Sequence, residues 1–212
     1  MRSSTRLALT AMLAVVALGA MVATASAGRL SISNQNFRVT WTSLQFETQS
    51  RLGRVLCPTT IEGSFHYRTI VKTVGALIGY ITRAIVQGEN PPCQGGTATV
   101  LTETLPWHIT YGGFDGTLPS ISGIRMNLIG GSFSVFVESA GVICLARSTT
   151  ANPMKGRVNI NASGQALTLT PDRNAPIPLT GGICALTRGI LLEDVGTVTL
   201  LGNSSIITVT LI

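Results

Sequence analysis

Apolar and polar residues alternate along much of this chain, and this two-residue period constrains its fold more than any other feature. The clearest stretch has Ile61, Gly63, Phe65 and Tyr67 alternating with Glu62, Ser64, His66 and Arg68. Because successive side chains of a strand point to opposite faces, such alternation is typical of half-buried antiparallel strands. Glycine-containing turn signals such as Asp115-Gly116 separate these stretches. The pattern predicts a mainly β fold, either an antiparallel β-sandwich or a barrel.

One segment departs from the two-residue period. Its apolar residues recur at helical spacing, at Ile70, Val71, Val74, Leu77, Ile78, Ile81 and Ile85. This spacing predicts one amphipathic helix over about residues 69–84, with an α+β fold as the alternative to a mainly β one. Gly75 and Gly79 each disfavour a helix by about 1 kcal/mol relative to alanine. The other interpretation of the segment is a pair of strands that turn at Gly75 or Gly79.

The first 27 residues have the pattern of an export signal. Arg2 and Arg6 precede an apolar run from Leu7 to Ala23, and Ala25-Ser26-Ala27 matches the small-x-small motif of a signal peptidase site. We therefore expect cleavage after Ala27 and a secreted or otherwise extracytoplasmic protein.

Residues 28–212 are long enough to form a single β-rich domain with a sizeable core. They carry 13 basic and 9 acidic residues in scattered positions, which predicts no nucleic-acid partner. Lys72 and Arg83 interrupt the most apolar stretch, residues 70–86, so no transmembrane segment is expected after signal cleavage. The preference for arginine over lysine indicates a bacterial source.

Four cysteines follow the export signal, at Cys57, Cys93, Cys144 and Cys184. None belongs to a C-x-x-C motif, which argues against a zinc site or a redox pair. An even number in an exported chain predicts two disulfides. The spacing favours Cys57–Cys93 and Cys144–Cys184, because each bond then closes a loop within one half of the chain.

The most suggestive catalytic residues are Glu62, Ser64 and His66. Ser64 and His66 are a candidate nucleophile and base, with Glu62 as an additional carboxylate. Strand neighbours two residues apart are separated by about 6.5–7 Å, however, whereas a direct hydrogen bond needs about 2.6–3.2 Å. The residues are therefore better interpreted as the solvated face of a half-buried strand. His108 is the second histidine available for acid–base chemistry.

Trp107 and Tyr111 are the candidate ligand-binding residues. They share one strand face with Ile109, and two flat aromatic rings on one face can stack against a sugar. Large aromatic residues are more often part of the core, and this is the preferred interpretation of both.

The sequence contains no nucleophile elbow, zinc-protease motif, phosphate-binding loop or dinucleotide fingerprint. We expect no cofactor and no metal, and we interpret the chain as a secreted, non-catalytic binding protein or structural component of the cell envelope. One alternative is an extracellular hydrolase that uses His66 or His108, which convergence of both histidines with Glu62 or Asp115 would favour. The other is a barrel-type carrier of a small apolar ligand, which an apolar interior cavity would favour.

Overall fold

Strands make up most of the structure. The computed structural model describes residues 29–50, 52–87, 92–192 and 194–212, and the predicted export signal, residues 1–27, lies outside them. In chain order the strands of the described residues are β1 (Arg29–Ile32), β2 (Asn36–Thr48), β3 (Arg54–Phe65), β4 (Thr69–Val71), β5 (Leu77–Val86), β6 (Gly96–Val100), β7 (Trp107–Thr117), β8 (Ser120–Ile129), β9 (Ser132–Val137), β10 (Val142–Arg147), β11 (Met154–Ile160), β12 (Gln165–Pro171), β13 (Ile177–Thr180), β14 (Arg188–Leu191), β15 (Gly196–Leu200) and β16 (Ile207–Leu211). The helical residues in these ranges form three short 3₁₀ turns, Thr102–Thr104, Glu138–Ala140 and Gly182–Leu186. The predicted mainly β fold is confirmed.

Eight antiparallel strands close into a barrel. Their order around it is β2, β3, β5, β7, β8, β11, β12 and β15, and β15 pairs with β2 to complete the ring. Neighbours in the barrel follow one another along the chain, apart from strands inserted between them, so the topology is up-and-down. Of the two predicted architectures, the structure has the barrel.

The remaining strands form two smaller sheets at opposite ends of the barrel. Strands β14, β13, β10, β9 and β6 make the first, which is joined to the second half of β2 through β14. A bridge between Leu56 and Gln94 connects its other side to β3. Strands β4, β1 and β16 make the second, which is joined through β16 to the start of β12. Each small sheet therefore extends the barrel wall at one end.

Both predicted disulfides are present, and both lie near the first small sheet. Cys57 in β3 is bonded to Cys93, which lies just before β6. Cys144 in β10 is bonded to Cys184, which lies in the 3₁₀ turn between β13 and β14. The two bonds are compatible with an extracytoplasmic protein. Within the described ranges, no helix is long and apolar enough to cross a membrane.

The predicted helix over residues 69–84 is wrong. The segment forms β4, a turn at Gly75 and β5, which agrees with the alternative of two strands. Strand β5 is hydrogen-bonded to β3 on one side and to β7 on the other. Backbone pairing with two neighbours thus replaces the hydrogen bonds that a helix would make internally.

Two β-bulges explain why β5 resembles a helix in sequence. The register of β5 shifts against β7 around Ile78 and against β3 around Thr82. Each extra residue interrupts the in–out alternation. As a result Ile78, Ile81 and Ala84 are buried at intervals of three residues, which imitates the apolar period of an amphipathic helix.

Candidate functional site

An apolar cavity of about 120 Å³ lies inside the barrel. Inward-facing side chains of the barrel strands line it, including Phe37, Val39, Ile81, Ile109, Ile124 and Val158. They face inward because the two-residue period places every second side chain of a strand on the interior face. The cavity therefore has the chemistry of a hydrocarbon environment.

The two small sheets supply the ends of the cavity. Ile32, Ile70 and Ile207 contribute side chains from β1, β4 and β16 at one end. Phe133 of β9 and Leu191 of β14 contribute from the sheet at the other end. The site is thus built by residues from the whole length of the described chain.

Both tryptophans of the protein line the cavity, and each is fixed by a hydrogen bond at its polar edge. The indole Nε1–H of Trp107 donates to Oγ1 of Thr104 at 2.8 Å, and that of Trp41 donates to the backbone carbonyl of Asp194 at 3.2 Å. A β-carbon on Gly196 would collide with the indole of Trp41, so only glycine allows this close approach. The two indole rings consequently serve as rigid apolar walls.

The structure buries both residues proposed as a sugar platform. Trp107 is 0 % and Tyr111 is 1 % exposed, so neither ring presents a face to solvent. The Tyr111 hydroxyl has no hydrogen-bond partner among the described residues. Burial raises the pKa of Tyr111, and the nearby positive charge of Arg125 only partly opposes this.

Glu62 is held by two arginines rather than by a histidine. Its side chain is nearly buried, and its carboxylate accepts hydrogen bonds from Arg38 at 2.8 Å and from Arg83 at 3.1 Å. Burial alone would raise the pKa of Glu62, but the hydrogen bonds and charges of Arg83 and Arg38 outweigh it and lower that pKa. Glu62 is therefore ionised and already fully paired.

His66 and His108 lie on the same outer face of the barrel, with Tyr80 between them. The ring centroid of Tyr80 is 4.6 Å from that of His66 and 5.1 Å from that of His108. Ser64 is directly opposite Tyr80 in the β3–β5 register. The structure thus brings the two histidines near one another and near Ser64.

The carboxylates do not join this group. Asp115 forms ion pairs with Arg157 at 2.7 Å and with Arg125 at 3.3 Å, and Glu62 has the two arginine partners described above. In the part of the chain that the structure describes, no hydrogen bond connects either imidazole to a carboxylate, and no three His, Cys, Asp or Glu side chains form a metal-binding cluster. The arrangement lacks the charged orienting partner that histidine bases commonly use.

Sequence reasoning missed most of the cavity-lining residues and both arginine partners of Glu62. The alternation identified Ile61 and Phe65 as one strand face, and both line the cavity. It gave no indication that Arg38 and Arg83 flank Glu62, because that depends on the register of three strands.

Comparison of the chain with models of known protein families, with curated proteins and with solved structures finds no match.

Proposed function

We propose that this protein is a secreted, non-catalytic binding protein whose barrel holds a small apolar molecule. The apolar cavity between the barrel strands is the observation that supports this proposal most directly. Eight-stranded barrels are just wide enough either to be filled by side chains or to hold one small ligand. Here the side chains leave space, and that space has apolar walls.

The size of the cavity limits the ligand. Its volume of about 120 Å³ is close to that of an engineered apolar cavity of about 150 Å³ that binds benzene or xenon. Pockets for drug-sized molecules are larger, roughly 300–1,000 Å³. The proposed ligand is therefore an apolar molecule about the size of a single six-membered ring.

The pairing of the acidic candidates supports a non-catalytic role. Glu62 and Asp115 each interact with two arginines, so neither is free to accept the hydrogen bond by which a carboxylate orients a histidine base. Trp107, a candidate ligand-binding residue, has its ring at the cavity and its N–H bonded to Thr104, which suits packing against an apolar molecule.

The first experiment is a fluorescence titration with benzene and with toluene. Because Trp41 and Trp107 are the only tryptophans and both line the cavity, ligand entry should change the intrinsic emission directly. At a ligand concentration of 100 times Kd the folded state gains about 2.7 kcal/mol. This corresponds to a rise in Tm of roughly 5–10 °C.

Cavity-filling variants provide the control. Gly156 lines the cavity, and a β-carbon there would make ordinary contacts with Leu169. Gly156→Val and, on β12, Ala166→Leu should remain folded and lose the response to benzene, whereas Leu167→Ala on the outside of the same strand should keep it. An unchanged emission and Tm in the unmodified protein, or an equal response in the filled variants, would refute the proposal.

The proposal that the protein is non-catalytic has a separate test. We expect His66→Ala and His108→Ala to bind benzene with the Kd of the unmodified protein, because neither side chain lines the cavity. Screening against ester, peptide, glycoside and phosphoester substrates should show no turnover. A turnover that falls by more than about a hundredfold in either variant would support the hydrolase alternative instead.

A further inference from the structure

A polar cleft of about 440 Å³ lies on the outside of the barrel, where β2 begins and β3 ends. Apart from Phe65, the residues that line the cleft are polar: Asn34, Gln35, Asn36, Ser64, His66 and Arg68. The cleft differs chemically from the apolar cavity, because most of the groups that line it can form hydrogen bonds. Its volume lies within the range of about 300–1,000 Å³ that is typical of small-molecule sites.

Two hydrogen bonds from one residue hold the sides of the cleft together. Nε2 of Gln35 donates to the backbone carbonyls of Phe65 at 3.0 Å and His66 at 2.8 Å. The side-chain oxygen of Asn34 accepts from the backbone N–H of Asn36 at 2.9 Å. The loop before β2 is thus fixed against the end of β3 by hydrogen bonds within the protein.

Arg68 is the charged side chain of the cleft, and no carboxylate in the described ranges forms an ion pair with it. Among the residues that the structure describes, no acidic side chain lines the cleft. The cleft therefore offers hydrogen-bond donors and a guanidinium cation to a ligand that brings hydroxyl and carboxylate oxygens.

Aromatic rings continue from the cleft across the outer face of the barrel. Tyr67 lies between two residues of the cleft in sequence, is 75 % exposed and has its ring 6.3 Å from that of His66. Tyr80 and His108 extend the row at centroid distances of 4.6 and 5.1 Å. The apolar face of this exposed tyrosine ring stays in contact with water unless another molecule covers it.

We propose that this cleft and the exposed ring of Tyr67 bind an acidic saccharide. The side-chain amides and the Ser64 hydroxyl match the hydroxyl groups of a sugar, and the face of Tyr67 matches the C–H face of a sugar ring. Arg68 matches a sugar carboxylate through paired hydrogen bonds. A site for an inorganic oxyanion alone would leave the neutral amides and the tyrosine ring unused.

The experiment measures binding of trigalacturonate and of the neutral cellotriose by isothermal titration calorimetry. We expect trigalacturonate to bind at least about tenfold more tightly than cellotriose, and Arg68→Gln to remove that difference. Tyr67→Ala should weaken trigalacturonate binding at least about fivefold, whereas Tyr67→Phe, which keeps the ring, should retain it. Because Tyr67 is exposed, its truncation should leave the Tm unchanged.

Four results would overturn the proposal. The first is that trigalacturonate does not bind, and the second is that the two saccharides bind equally. The third is that neither Tyr67→Ala nor Arg68→Gln affects binding. The fourth is that inorganic phosphate displaces trigalacturonate at a concentration similar to that at which trigalacturonate itself binds. The last result would identify a simple oxyanion site. Saturation with benzene should not alter trigalacturonate binding, so the outcome is independent of the proposed apolar cavity.

Discussion

At the scale of single residues, Glu62 illustrates how a carboxylate is accommodated in the barrel wall. Arg38 on β2 and Arg83 on β5 are its direct cross-strand neighbours, so the three charges lie in one row across the sheet. The cost of burying the carboxylate is offset by charge-assisted hydrogen bonds on both sides. Both arginines are themselves partly exposed, which reduces the net stabilisation.

We expect Glu62→Gln to lower the free energy of unfolding by about 1–2 kcal/mol at pH 7, a value reduced for the exposure of the arginines. The pKa of Glu62 is lowered in the folded state, so its stabilisation is present above the ordinary value of 4.5 and is lost as the pH falls through the folded-state pKa. Urea unfolding at pH 7 and at pH 2.5 should therefore show that the unmodified protein and Glu62→Gln differ less in their free energy of unfolding at the lower pH. The exposed Glu103→Gln should have little effect at either pH. A loss that is the same at both pH values would contradict this role of the ionised carboxylate.

At the scale of elements, β5 is the strand whose sequence is most ambiguous. Its buried residues recur at a helical interval because of the two bulges, and Gly79 would be a weak point of a helix. In the barrel Gly79 has a different role. A β-carbon there would lie 2.5 Å from the carbonyl oxygen of Ser64 and 3.0 Å from Cα of Phe65.

Gly79→Ala distinguishes a helix from the observed strand β5, because the substitution changes stability in opposite directions in the two. In a helix it would stabilise the protein by about 1 kcal/mol. In the observed strand the added methyl group collides with the backbone of β3, so we expect destabilisation of at least about 2 kcal/mol. The measurement is chemical unfolding, and Gly156→Ala, where a β-carbon makes only ordinary contacts, is the matched control. A gain in stability for Gly79→Ala would show that β5 is not formed.

At the scale of the whole molecule, the two ends of the barrel are closed by different means. The β4–β1–β16 sheet is held by strand pairing and by apolar residues such as Ile70 and Ile207. At the other end, Cys144–Cys184 joins β10 of the larger sheet to the turn before β14, and Cys57–Cys93 joins the barrel strand β3 to the segment before β6. Covalent bonds therefore reinforce the sheet that is joined to the barrel through β14 and through the Leu56–Gln94 bridge.

Removing Cys144–Cys184 by changing both residues to alanine should lower the free energy of unfolding by on the order of 4 kcal/mol. This magnitude follows from the loop entropy released by a separation of 40 residues. It is a large fraction of the 5–15 kcal/mol typical of a domain. Urea unfolding of the double variant against the unmodified protein measures it. A change below about 1 kcal/mol would mean that the bond does not restrain the unfolded chain as proposed.

Much of the fold follows from the sequence itself. The two-residue period around Ile61 and Phe65 and the recurrent glycine turns predict antiparallel strands, because side-chain direction alternates along any strand. The even cysteine count and the spacing of Cys57, Cys93, Cys144 and Cys184 predict two bonds that each close a local loop. These features depend on local geometry, which neighbouring residues encode.

Only the tertiary structure decided the features that depend on register and closure. The bulges at Ile78 and Thr82 give β5 the burial interval of a helix, and only its pairing with β3 and β7 decides that the segment is a strand. Register places Arg38 and Arg83 beside Glu62, and ring closure converts inward faces into a cavity whose volume is set by packing from both end sheets. Local sequence specifies which way a side chain points, whereas the neighbour it meets and the space it leaves arise from the assembled barrel.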